Sequence, residues 1–73
     1  MNIGDKLIQL TPSWIIERKI IGINGSGGPW LLTAFKWHDG KVCRESSETL
    51  APETWQALLA RADEENWRYE PKA

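Results

Sequence analysis

The sequence predicts a small α+β domain: an antiparallel sheet of three to four strands with one C-terminal helix packed on it. Three observations predict this. The first 46 residues alternate apolar and polar side chains between turn signals. β-branched and aromatic residues crowd those stretches. After Pro52 the apolar period lengthens from two to between three and four, which marks one face of a helix.

Asp5–Leu10, DKLIQL, reads as the first strand, with Leu7 alternating against Ile8 and Leu10. Thr11-Pro12-Ser13-Trp14 fits a β-turn, because Pro12 pre-sets the second position. Trp14–Ile23, WIIERKIIGI, is half isoleucine, and β-branching favours strand over helix. Its centre, Glu17-Arg18-Lys19, breaks the alternation. That predicts either a bulge there or a middle that projects into solvent at a sheet edge. Asn24–Pro29, NGSGGP, is a flexible connection, and its extra glycines predict a loop longer than two residues. Trp30–Trp37, WLLTAFKW, is the clearest strand. Leu31, Thr33, Phe35 and Trp37 share one face; Trp30, Leu32, Ala34 and Lys36 share the other. Asp39-Gly40 predicts a two-residue type I′ turn, and Lys41–Ser46 returns beside it. In that register Trp37 faces Val42, Cys43 lies near Lys36, and Arg44 faces Phe35 with its cation over the ring.

Trp55, Leu58, Leu59 and Ala62 sit at i, i+3, i+4 and i+7 of a helix over about residues 52–65. Pro52 suits the first helical position, and Glu53 suits the positive end of the dipole. Ala51 is a weak cap, with Leu50 and Trp55 as a hydrophobic staple. Asp63, Glu64 and Glu65 crowd the negative end. Asn66 suits a left-handed cap, after which Trp67 folds back towards Ala62. Residues 70–73 are expected to fray. The sum is one domain over residues 1–73, with strands within residues 5–46 and an SH3-like curl as one form of the sheet.

Composition sets the outer bounds. The chain has 73 residues, 41% hydrophobic and 26% charged, which is globular rather than disordered. It holds one cysteine and one histidine, so neither an internal disulfide nor a multi-cysteine metal site is expected. Apolar runs are too short for a membrane span, and no basic start leads into an apolar stretch as a secretory signal would. Five tryptophans compensate for a short chain. Trp14, Trp30 and Trp55 are expected in the core. Trp37 and Trp67 divide between core and interface, and Tyr69 stays equally open. The net charge of −1 hides an asymmetry: residues 1–44 carry net +3 and residues 45–73 net −4. A bipolar surface steers partners, but it argues against a general nucleic-acid binder.

Catalysis and cofactor binding find little support in the residues. His38 sits at a hairpin tip as an exposed turn residue. A Cys43–His38 dyad lacks a third orienting group, and Cys43 reads as a small buried hydrophobe. The glycine-rich loop from Gly22 to Pro29 opens a strand, not a helix, so no helix N-terminus faces an anion. Binding remains. Lys36, Lys41 and Arg44 gather on one hairpin with Trp37 and Phe35, and Arg18 and Lys19 add basic charge on the preceding strand. Basic residues among aromatics bind single-stranded nucleic acid or an acidic protein surface. The hairpin also leaves an edge strand for a partner.

The opening MNIGDKLIQL, the hairpin WLLTAFKWHDGKVC, the helix PETWQALLARADEE and the overall length together resemble the small RNA-polymerase-binding transcription regulators of lytic bacteriophages. The resemblance covers the whole chain. It implies a cofactor-free, non-enzymatic protein; a monomer in the host bacterial cytoplasm is expected beside it. Such a protein binds the large subunits of RNA polymerase near the σ site, weakens σ binding to inhibit initiation, and stays on the elongating enzyme as an antiterminator. It carries over no binding residues. The site residues Lys36, Trp37, Lys41, Arg44, Arg18 and Lys19 rest on charge and aromatic character alone. A nucleic-acid-binding module on the basic hairpin is the alternative, and an acidic helix acting as a nucleic-acid mimic is a weaker third.

Overall fold

The computed structural model describes residues 2–72 and contains five strands and one helix in the order β1 (Lys6–Leu10), β2 (Ile15–Ile23), β3 (Pro29–Lys36), β4 (Val42–Thr49), α1 (Pro52–Ala60) and β5 (Trp67–Glu70). All strands join one antiparallel sheet in the order β4-β3-β2-β1-β5. The expected α+β mix holds, but the sheet has one strand more than the sequence predicts. The helix therefore lies between β4 and β5 rather than at the C-terminus.

The fifth strand takes in Glu70, the first residue of the tail expected to fray over residues 70–73. WRYE pairs with β1 from Gln9↔Trp67 to Lys6↔Glu70. Beyond it, the Lys72 N–H donates to Asp5 Oδ1 at 2.8 Å. Ala73 lies outside the described residues. The helix is also shorter than the periodicity predicts. It ends at Ala60 with Arg61 as its C-cap, and residues 61–66 form turns. Negative charge at 63–65 opposes the negative end of the helix dipole, so the chain leaves the helix before those residues enter it. The expected left-handed Asn66 does form, but it closes the turns after the helix, whose own cap is Arg61. Asn66 adopts φ 62°, Asn66 N–H donates to Asp63 O at 3.3 Å, and Trp67 N–H donates to Ala62 O at 2.7 Å. That pair of bonds is a Schellman arrangement, and it aims Trp67 into the core.

Residues paired by the register share a face of the sheet. On the helix side Leu7, Ile20 and Leu31 are fully buried with Trp55 and Trp67, and Leu50, Leu58 and Leu59 pack around them. Leu50 and Trp55 thus meet as a staple across the uncapped Ala51. Trp55 is 2% exposed, whereas Trp30 is 45% exposed and is not a core residue. Trp30 pairs with Gly22 and Thr49 on the opposite, open face of the sheet, where no element covers it.

Strand β2 lies between β1 and β3, so its charged centre is not at an edge. Its register shift falls between Ile20 and Gly22, not at residues 17–19. The three charges split by alternation instead: Arg18 faces the helix side, and Glu17 and Lys19 face the open side. The connection at residues 24–29 is held rather than loose. Asn24 Oδ1 accepts from Ser26 N–H at 2.9 Å and Gly28 N–H at 3.1 Å, and Asn24 Nδ2 donates to Leu50 O at 2.8 Å. One asparagine ties the β2–β3 loop to the start of α1.

Candidate partner-binding surface

The β3–β4 hairpin places the candidate residues. Its turn is not type I′, which needs positive φ at both central residues. Only Gly40 has positive φ, 92°, with Gly40 N–H donating to Trp37 O and Trp37 N–H to Lys41 O, both at 2.9 Å. The loop is therefore His38-Asp39-Gly40, a three-residue connection with glycine at the left-handed position. Asp39 Oδ1 accepts from Lys41 N–H at 2.9 Å and rigidifies it. The longer loop and the register shift after Phe35 move Val42 opposite Lys36 instead of Trp37. Cys43 is the extra residue of that irregularity and is exposed, not buried.

An aromatic cluster sits at this end of the sheet. Ile15 pairs with Lys36, so Trp14 falls across from Trp37. The two indoles stack with centroids 4.4 Å apart, and Trp14 meets Phe35 edge-on at 6.2 Å. Arg44 pairs with Phe35 and holds its guanidinium carbon 5.0 Å from the ring centre, as the sequence predicts. His38 Nε2 lies 3.1 Å from Thr11 O and 3.2 Å from Pro12 O, which ties the hairpin tip to the β1–β2 turn. Trp37 remains 46% exposed. Trp14, expected in the core, instead backs Trp37. The signal was in the sequence, because pairing β2 with β3 puts the residue after the Pro12 turn opposite the end of β3.

The six candidate residues do not form one patch. Trp37, Lys41 and Arg44 lie at the hairpin end, Trp37 on Trp14, Arg44 over Phe35 and Lys41 across from Trp37. Lys19 and Lys36 point to the open face. There Lys36 Nζ bonds Glu17 Oε2 at 3.1 Å, with Lys6 Nζ 3.5 Å from Oε1. Burial pushes the Glu17 carboxyl up, but the Lys36 bond and the two ammonium charges outweigh it and hold it below its ordinary value. Lys36 is thus committed within the sheet. Arg18 lies on the helix side, 5.1 Å over the Trp67 ring, with Glu48 4.0 Å away. Its aliphatic stem and cation complete the core edge.

Among the described residues no three His, Cys, Asp or Glu side chains gather as a metal site would require. No described helix is long and apolar enough to cross a membrane. The remaining dense polar site is structural: buried Asp5 accepts from Tyr69 Oη at 2.5 Å, Lys72 N–H at 2.8 Å and Asn2 N–H at 3.0 Å. No family model, curated protein or solved structure matches this chain.

Proposed function

We propose that this chain is a non-enzymatic transcription regulator. It binds a bacterial RNA polymerase at its large subunits in the host cytoplasm, weakens σ-factor binding to inhibit initiation, and suppresses termination on the elongating enzyme. The whole-chain resemblance to phage regulators supports the target. The observation that carries a protein-binding role is the hairpin end, where half-exposed Trp37 stands beside exposed Lys41 and Arg44. Trp and Arg are the residues that dominate interface energies. A meander whose last strand returns to the free edge of the first also supports an SH3-like reading of the sheet. The molecule measures 35 × 24 × 23 Å, which leaves roughly 600–800 Å² for one partner. Such a contact shifts σ occupancy when it favours the σ-free enzyme, at about 1.4 kcal/mol per tenfold. Affinity capture from nuclease-treated bacterial lysate tests this. Recovery of polymerase depleted of σ is the expected result, and its absence removes the reading.

The stacked Trp14–Trp37 pair with Arg44 and Lys41 favours one second reading, a single-stranded nucleic-acid module. Recovery that vanishes on nuclease treatment and falls steeply with salt would select it.

A further inference from the structure

Strand β4 combines two features at one place. It is an outer strand of the sheet, and all eight of its residues are exposed. Its inner side is bonded to β3 through alternate residues: Leu50 N–H donates to Pro29 O at 3.1 Å. Counting back by twos, Glu48, Ser46 and Arg44 turn their backbone groups towards β3. The N–H and C=O groups of Glu45 and Ser47 therefore turn outward, without a ladder partner. At the hairpin end of the same strand, a cavity of about 200 Å³ opens between Trp14, Phe35, Cys43 and Arg44. Half of its lining belongs to β4.

We infer that β4 receives an extended segment of a protein partner as a sixth, antiparallel strand, and that an aromatic side chain of the segment enters the cavity. This rests on the reading of the chain as a protein-binding regulator and names the contact it uses. Added strands draw affinity from main-chain bonds and specificity from pockets for alternate side chains. Here the charges choose the sequence. On the helix side β4 presents Arg44, Ser46 and Glu48 in a row. In an added antiparallel strand their opposite numbers fall at the positions without hydrogen bonds, where side chains approach closest. Read from its N-terminus, the matching segment carries a cation opposite Glu48, a small hydroxyl opposite Ser46 and a carboxylate opposite Arg44, each separated by one residue. Two residues further on, an aromatic side chain reaches the cavity.

The probe is the fluorescein-labelled, end-blocked peptide Lys-Thr-Ser-Thr-Glu-Thr-Trp. It is read by fluorescence polarisation and by amide chemical-shift mapping on the full chain. Binding with shifts confined to residues 42–49 and the Trp14 indole supports the inference. Ser47→Pro removes an outward N–H and no bond to β3, so binding falls about tenfold or more while the melting curve stays cooperative. Should that variant not fold, a charge swap decides alone. Arg44→Glu weakens binding of this peptide by about tenfold, and a peptide with Lys in place of Glu restores it. Equal binding of a scrambled peptide, shifts on another surface, or a swap that restores nothing overturns the inference. So does sedimentation showing that the free chain dimerises through β4, since a second copy is then the occupant. Polymerase capture that survives Ser47→Pro and Arg44→Glu unchanged also removes the edge contact while leaving the regulator reading in place. Peptide binding without polymerase capture keeps the edge and removes only the polymerase.

Discussion

Asp5 is the residue on which the two chain ends converge. Its carboxylate is held by Tyr69, by the backbone of Lys72 and by the backbone of Asn2. The Tyr69 hydrogen bond and the Lys72 N–H hold it below its ordinary 3.8, against the opposing effect of burial. Its contribution to stability is therefore fully present above pH 3.8 and is lost as pH falls through the lower folded value. Tyr69 behaves in the opposite sense. Burial, the Asp5 hydrogen bond and the Asp5 charge push its phenol from 10.0 up to about 12. That contribution is intact below pH 10.0 and fades as pH rises towards about 12. Asp5→Asn should lower the melting temperature at pH 7 and flatten its acid decline. Tyr69→Phe should flatten the alkaline decline. Thermal melts across pH read both, and an unaltered acid limb in Asp5→Asn would remove Asp5 from the account. Gly28 is a second single-residue constraint. A Cβ there would stand 2.0 Å from Leu50 O and 3.0 Å from Pro52 N. The neighbour is backbone, so it cannot yield as a flexible side chain would. Gly28→Ala should cost about 1–3 kcal/mol by denaturant titration, a large share of what a core this size supplies.

The helix and the strand after it show what one element's sequence settles about another. The 3.6 period of Trp55, Leu58 and Leu59 is a local property, and it correctly marked the buried stripe of α1. The helix end is a contest between that period, which Ala62 continues, and the acidic run behind it. The dipole decides it in favour of an exit at Arg61. Relieving the charge should therefore show. Glu64→Lys should raise stability by about 0.3–0.5 kcal/mol, or about 1–4 °C in Tm, and an unchanged Tm would mean that charge does not set the exit. The strands were legible where alternating or β-branched residues ran between turn signals: β1, β2 and β3 fall within two residues of their sequence boundaries. β5 was not. Its four residues have no periodicity to detect, and it is a strand because β1 offers an edge and Asp5 offers a carboxylate. Both belong to the far end of the chain. The Arg44–Phe35 pair of the candidate site came out as expected because the extra residue at Cys43 offsets the longer turn and restores the register at Phe35. Trp37 opposite Val42 failed because the irregularity at Cys43 is set by a three-residue turn that Asp39-Gly40 does not specify alone.

At the scale of the whole molecule, charge and shape divide the work. The sheet carries the basic first half of the chain, and the helix with its following turns carries Glu53, Asp63, Glu64 and Glu65. A net charge of −1 gives no overall attraction to a polyanion, so any steering comes from the local field of the hairpin end. An exposed rim charge and a central aromatic then act on different rate constants. On the proposed polymerase contact, Lys41, exposed at the tip, meets the partner's field before its surface, so Lys41→Glu should lower the association rate several-fold and flatten its salt dependence. The half of Trp37 left exposed beyond its stack on Trp14 is buried only once docked. Trp37→Ala should raise the dissociation rate about 30-fold, the equivalent of about 2 kcal/mol, with the salt dependence of association unchanged. The substitution also removes the stack on Trp14, which should lower stability by about 0.5–1.5 kcal/mol, while Trp14 keeps its edge contact with Phe35 and the melt should stay cooperative. Surface-plasmon kinetics on immobilised polymerase separate the two. Should both substitutions act on association alone, the hairpin would be a steering patch and the docked contact would lie elsewhere on the sheet.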